Sequence, residues 1–334
     1  MRQAADIVVA APLAGPAARR AAPLLAALAA QARCRFLLPG PSARELAPGP
    51  AIAFAAWRED AALQALPHLF VLADAAEGAF ALRAALLRPG LVVLEDGGLP
   101  RAHAALTRDR GLAAAWLRAV AAEHGPPGRR LAAAWLRHPP AEPAWRWLPM
   151  CEEVARRAAL LVIRHPLVPL PPGCRAEVVP PGFPPLPPAA PDAPRRLRLL
   201  PGARPWLSLL QRAAAAAGCE LTTSPDVPAA LALALSAPPS DHDAYAAAHA
   251  LAEGLPLLAW ADGPLAALPA GVVEPVPFGI DAEGLAERLQ RALAELPARQ
   301  AMVRAYIAGW GPEQEAARLL SLLQTACRGA AAAT

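Results

Sequence analysis

All 32 basic side chains of this 334-residue sequence are arginine, and there is no lysine. With the abundance of alanine and proline, that bias reads as a drift toward GC-rich codons. The formal net charge of +4 is therefore only a weak pointer to an anionic partner. Aromatic residues make up 5% of the chain, and the arginines read as dispersed rather than striped. A nucleic-acid surface needs clustered basic residues with stacking rings, so no nucleic-acid partner is expected. The cysteines (Cys34, Cys151, Cys174, Cys219, Cys327) are odd in number and never in CxxC spacing. That argues against a disulfide framework or a thiolate zinc site and fits a reducing compartment. Hydrophobic residues reach 55%, yet much of that is alanine, and no stretch approaches the roughly 18 uncharged apolar residues of a spanning helix. GxGxxG, GxxxxGK[ST] and GxSxG are all missing, which removes classical dinucleotide dehydrogenases, P-loop enzymes and most α/β hydrolases. No repeat with a period of roughly 20 to 50 residues is visible, so solenoids are out.

What is present is alternation. Short β-branched or leucine-rich runs over 6–11, 34–38, 51–55, 69–72, 91–94 and 160–163 predict strands. Helical stretches over 16–31, 57–66 and 77–87 separate them, and a longer helical block over 100–157 is broken at 125–128 and 139–143. A proline-dense segment, 166–194, reads as a semi-rigid extended linker with one short strand over 177–179, because proline fixes φ and lacks a donor. Beyond it, strands are expected over 197–200, 219–223, 231–235, 256–260 and 272–276. Helices are expected over 205–217, 242–253, 281–296, 298–308 and 312–326. The expectation is an α/β protein of two Rossmann-like lobes facing a cleft, the default place for a ligand. The opening MRQAADIVVAAPLAGPAARRAA has the short apolar run of a secretion signal. Asp6 ahead of that run and Arg19 and Arg20 after it fit a first strand and amphipathic helix instead, so a cytoplasmic location is expected.

Four segments carry candidate chemistry. The turn around Gly15 opens a helix next to Arg19 and Arg20; it reads as a phosphate or hydroxyl site, or as an ordinary βα loop. Glu95 and Asp96 follow a buried strand in RPGLVVLEDGGLPRAH. Carboxylates at that edge orient hydroxyls or act as bases, and equally serve as helix caps. In SAPPSDHDAYAAAHALAEGLPLLAW, Asp241 and His249 stand a little over two helical turns apart, with capping as the plain alternative. His242 and His249 have no third ligand at useful spacing, so no metal is expected. Arg195, Arg196, Arg198 and Arg204 flank a strand and suit a diphosphate, or form a solvated face.

Read in order, these pieces resemble family 4 retaining glycosyltransferases of the GT-B fold. VVAAPLAGPAARRAAPLLAALA is similar to the family's first strand, glycine-containing acceptor loop and helix. HLFVLADAAEGAFALRAALLRPGLVVLEDGGL resembles a stretch that in one bacterial branch runs from a Leu-Gly-Asn turn to Pro-Gly-Val-Val-Val-Leu-His-Asp. LALALSAPPSDHDAYAAAHALAEGLPLLAWADGPLAALPAGVVEPVP resembles the donor-site strand, acidic turn and helix, and ELPARQAMVRAYIAGWGPEQEAARLLSLL the closing segment that crosses back to the first lobe. The chain departs from the pattern at Glu95, where the branch has histidine, and at Ala73 and Asp74, which replace Gly-Asn. The motif's paired glutamates become Asp241 and His249, and the phosphate-binding lysine has Arg204 as its nearest counterpart. The stretch 197–235 is short by one βα unit.

The resemblance implies an acceptor domain over 1–165, a linker over 166–194, a shortened donor domain over 195–308, and a returning C-terminal helix over 309–334. It implies transfer of a sugar from a nucleotide-sugar, with no further cofactor, to a saccharide or lipid-linked acceptor. Asp96 and Glu95 would be catalytic, Arg204, Asp241, His249 and Gly254 would bind the donor, and Gly15 and Arg101 the acceptor. Peripheral contact with the inner membrane face would accompany a lipid-linked acceptor. The altered residues leave a second expectation open, a catalytically degenerate scaffold partner of an active transferase. An epimerase or phosphorylase of the same fold is a third.

Overall fold

The computed structural model describes residues 6–40, 47–138, 148–164, 168, 170–182, 195–224, 227–235 and 241–332. The chain forms two compact units. The first comprises Met1–Arg164, Val168–Val179 and Glu315–Thr334; the second comprises His165–Leu167 and Pro180–Gln314.

In the first unit the chain runs β1 (Asp6–Ala10), α1 (Gly15–Gln31), β2 (Arg33–Leu38), β3 (Ala51–Ala53), α2 (Phe54–Glu59), α3 (Ala61–Ala65), β4 (His68–Leu72), α4 (Ala79–Leu87) and β5 (Leu91–Leu94). It continues through α5 (Pro100–Leu106), α6 (Ala113–Arg137), α7 (Glu152–Arg157), β6 (Leu160–Ile163) and β7 (Ala176–Val178). The seven strands form one sheet in the order β3-β2-β1-β4-β5-β6-β7, and the paired strands are parallel. Runs such as HLFVL and LVVL are apolar without alternation and are buried at every position, as strands covered on both faces must be. The order reverses between β1 and β4, so the loops leaving those two strands diverge and open a crevice at their C-terminal ends.

The second unit holds β8 (Arg196–Leu199), α8 (Leu207–Ala216), β9 (Glu220–Thr222), β10 (Leu231–Ala234), α9 (Asp241–Ala252), β11 (Leu257–Trp260), β12 (Val273–Val276), α10 (Ala282–Ala294) and α11 (Leu296–Gly309). Its sheet has five strands in the order β12-β11-β10-β8-β9, again with parallel pairing. The reversal here lies between β8 and β10, with β9 alone on one side. Leucines 197, 199, 231, 233 and 258 form one core with α8 and α10. The residues between them, such as Ala232, Ala234 and Leu257, form another with α9.

The structure departs from the sequence reading in several places. Phe54 and Ala55 start a helix rather than extending β3, and Asp60 splits the expected helix by accepting from the N–H groups of Ala62 and Leu63 as the N-cap of α3. The block over 100–157 breaks first after α5, where Gly111 stands at φ 78°, and then kinks at Gly125 inside α6. Most consequentially, the short strand expected within the proline segment forms as β7, but residues 168–179 belong to the first unit rather than linking the two. Prolines at the flanks of β7 leave its own N–H groups free to pair. Residues 183–194, the densest in proline, and the 139–143 break lie outside the described residues.

The last helix, α12 (Pro312–Ala332), is fastened to the first unit at Glu315. The guanidinium of Arg164, just beyond β6, donates to Glu95 of the β5 end and pairs with Glu315 at 2.7 Å, and it donates to the carbonyl of Val179 at 3.1 Å. All three side chains are no more than 3% exposed. Removing the cation would strand buried carboxylates, at a cost of roughly 3–5 kcal/mol. Arg164→Met should lower urea-unfolding stability by about that amount. Glu95→Gln, which keeps an acceptor for the guanidinium, should cost much less. Equal losses for the two variants would refute this assignment.

Candidate functional site

At the crevice of the first sheet, the sequence needs one residue for two reasons. Gly15 opens α1 with φ +67°, which an L side chain rarely adopts, and a Cβ there would overlap the carboxylate of Glu77. Glu77, in the turn after β4, thus lies against the N-terminus of α1, where the helix dipole favours a negative charge.

Asp96 sits on the same edge, 9% exposed. Its Oδ2 accepts the backbone N–H of Asp74 at 2.7 Å, and Arg20, from the second turn of α1, faces both carboxylate oxygens at 3.5 Å. Asp74 in turn caps α5: its Oδ1 accepts the N–H groups of Arg101 at 2.6 Å and Ala102 at 3.3 Å. Pro100, at the start of that helix, has no N–H to satisfy. Burial, and then the charge of Asp96, push the Asp74 carboxyl up from 3.8 to about 7 against those two donors. The ends of β1, β4 and β5 therefore bring together Gly15, Arg20, Asp74, Glu77, Asp96 and Arg101. Asp96 and Arg20 supply an acceptor and a donor suited to hydroxyl groups.

Glu95 does not join them. Side chains alternate along a strand, and the Glu95 N–H still bonds Leu72 across the sheet, so its carboxylate turns inward to Arg164. Burial drives its carboxyl above the ordinary range in spite of that guanidinium. The catalytic role expected for Glu95 is replaced by a structural one. Glu77 was not singled out from the sequence; Arg20 was named there with the Gly15 turn, and Asp74 only as a departure from the family pattern. Asp74 carried a usable signal, since it follows a fully buried strand by two residues.

In the second unit the expected donor set separates. α9 runs antiparallel to the strands, so Asp241 begins it at the C-terminal edge of the sheet. His249 lies about 12 Å further along the axis and Gly254 beyond the helix end. Gly254, at φ +81°, terminates α9: its N–H bonds Leu251 and the next N–H bonds Ala250 at 2.9 Å. His249 Nδ1 lies 2.9 Å from Glu253, whose other oxygen accepts from the buried Arg198 at 2.6 Å. Burial pushes the Glu253 carboxyl up, but the bonds from His249 and Arg198 outweigh it and hold it below its usual range. Neither His249 nor Gly254 is at the edge where ligands meet parallel sheets, because the helix carries them toward the strands' N-terminal ends.

Arg204 does reach that edge, exposed in the 3-10 turn Pro201–Trp206 that follows β8. Two residues on, Trp206 joins Trp260 and Phe278 in a cluster of edge-on rings, with centroids 5.5, 5.5 and 5.7 Å apart. Phe278 is 62% exposed. The segment 236–240 after β10 lies outside the described residues, as does the side chain of Asp241.

No family model and no curated protein matches the sequence. Solved structures do match its fold. Anabaena Alr3699/HepE, in a complex with UDP and glucose, is 12% identical over 96% of this chain and 100% of its own, with a TM-score of 0.53. The sucrose-phosphate synthase of Thermosynechococcus elongatus is 14% identical over 99% and 100%, with a TM-score of 0.50. The chain has the GT-B fold, two parallel-sheet α/β units of the kind seen in these glycosyltransferase structures.

A proton on Asp74 links the site to stability. Its raised carboxyl favours the protonated folded state, so this group's contribution falls as pH rises from about 4 to 7 and is level above. Asp74→Asn should flatten the dependence of melting temperature on pH across that window. An unchanged slope would show that Asp74 ionises normally.

Proposed function

We propose that the chain is a glycosyltransferase that moves a sugar from a nucleotide-sugar to a saccharide or lipid-linked acceptor. The observation that carries this reading is the Arg20–Asp96–Asp74 cluster at the reversal point of the first sheet. It occurs in a fold shared with a protein crystallised with UDP-glucose. Asp96 orients the acceptor hydroxyl, with Arg20 holding the carboxylate in place. On the second unit, Arg204 meets the donor's diphosphate, and the exposed ring of Phe278 offers a flat face to its base. Charge developing on the leaving diphosphate is stabilised by arginine, so the reading requires neither a metal nor another cofactor. Retention of configuration and membership of family 4, with an altered donor motif, belong to the same proposal and rest on the sequence resemblance. So do a bacterial source and a role in polysaccharide synthesis. No helix among the described residues is long and apolar enough to cross a membrane; a cytoplasmic protein with peripheral membrane contact completes the proposal.

The engagement of His249 with Glu253 favours one rival, a non-catalytic partner of an active transferase that has lost its ribose-binding carboxylate. Thermal shift separates the two. A nucleotide-sugar or its nucleoside diphosphate should raise the melting temperature by several degrees, Arg204→Ala should remove most of the shift, and His249→Ala should leave it intact. No shift across a panel of common donors would sink the transferase reading and leave the scaffold. With a donor established, Asp96→Asn should lower kcat by about a hundredfold, and an unchanged rate would remove Asp96 from the site.

A further inference from the structure

Part of the arginine that reads as dispersed along the chain is concentrated in one segment of the first unit. Between Pro100 and His138 stand seven arginines against Asp109 and Glu123 alone. That excess of five exceeds the net charge of +4 for the whole chain. The segment is an excursion from the first unit. α6 folds back on itself at Gly125, and Trp116, Val120, Ala132 and Trp135 close a small core of their own with Leu148 and Met150. Both tryptophans are buried there. The outer surface carries Arg110, Arg118, Arg129, Arg130 and Arg137, all exposed, and none of the five has an acidic partner among the described residues. The second arm, from Pro126 to Arg137, contains no acidic residue, and helical spacing puts Arg130 and Arg137 on one face. Leu112, 53% exposed, adds an apolar side chain at the start of the first arm, two residues after Arg110.

We propose that this helical hairpin is the surface by which the protein attaches to an anionic membrane. Unpaired guanidinium groups on an otherwise alanine-rich surface are drawn to lipid phosphates, and an exposed leucine among them suits insertion at the headgroup boundary. A single-stranded nucleic acid would want rings to stack on, and the hairpin keeps its rings inside. The chain enters the hairpin directly from α5, whose first turn is capped by Asp74 at the proposed acceptor site. Membrane attachment therefore favours a lipid-borne acceptor, and this last step alone rests on the transferase reading.

The test is sedimentation of the full chain with vesicles. Binding should be strong to vesicles containing phosphatidylglycerol at 0.01 M salt, absent from pure phosphatidylcholine, and lost at 0.5 M salt, where the screening length falls from about 30 Å to about 4 Å. Each arginine near such a surface strengthens attachment about fivefold, so Arg129→Glu, Arg130→Glu and Arg137→Glu together should weaken it by at least a hundredfold. The same variant should keep the wild-type melting temperature and nucleotide-induced shift, which shows that it is folded and isolates the membrane step. Equal binding by wild type and variant, binding to heparin or RNA but not to vesicles, or no vesicle binding at all would each overturn the proposal. Nucleotide binding would be untouched by any of these outcomes.

Discussion

The orientation of the first unit's edge depends on one buried guanidinium. Arg164 holds Glu95 and Glu315 at once, and so ties the ends of two adjacent strands to the helix that closes the chain. Glu95 and Asp96 are neighbours in sequence and cannot both point the same way at a strand end. With Glu95 committed inward, Asp96 is delivered outward, where the Asp74 N–H and Arg20 meet it. The position of the proposed reacting-edge carboxylate is thus set by an interaction that never touches a ligand.

A cluster of two carboxylates and one arginine, nearly free of solvent, would carry a net negative charge if all three were ionised. Desolvation makes that expensive, and burial drives the Glu95 carboxyl upward against the pull of the guanidinium beside it. Arg164 stays charged, because the two carboxyls facing it outweigh the effect of its burial. Glu95, which in sequence looks like a candidate for chemistry beside Asp96, is in the fold a second partner for Arg164.

The architecture was legible because buried parallel strands are apolar runs bounded by glycine and proline, and nearly every such run became a strand. The proline segment misled on membership rather than on structure: the short strand expected inside it forms, at Ala176–Val178, but as an edge strand of the first unit's sheet. Among the site residues, Gly15, Asp96 and Arg101 could be placed because each follows a strand directly or opens the next helix. Asp74 was missed because its partners, Asp96 and the start of α5, are 22 and 27 residues away. His249 and Gly254 were drawn into the donor set by counting along a motif, which fixes spacing but not depth below the ligand edge.

Depth is decided by helix polarity, and it redistributes the chemistry of the second unit. Every right-handed crossover returns its helix antiparallel to the strands, so only the first turn of α9 can face a ligand at the C-terminal edge. In the last turn Ala250 and Leu251 face the core, while the half-exposed His249 pairs with Glu253, which also meets Arg198. Among the described residues at that edge are Arg204 and Trp206 after β8, Trp260 at the end of β11 with Asp262 just beyond it, and Phe278 after β12. One exposed guanidinium and one exposed ring, near a sheet reversal between β8 and β10, are the groups to which the proposed function assigns the donor. They ask less of α9 than the resemblance did. The proposed nucleotide binding therefore does not depend on His249, because the groups proposed to meet a diphosphate and a base do not stand on that helix.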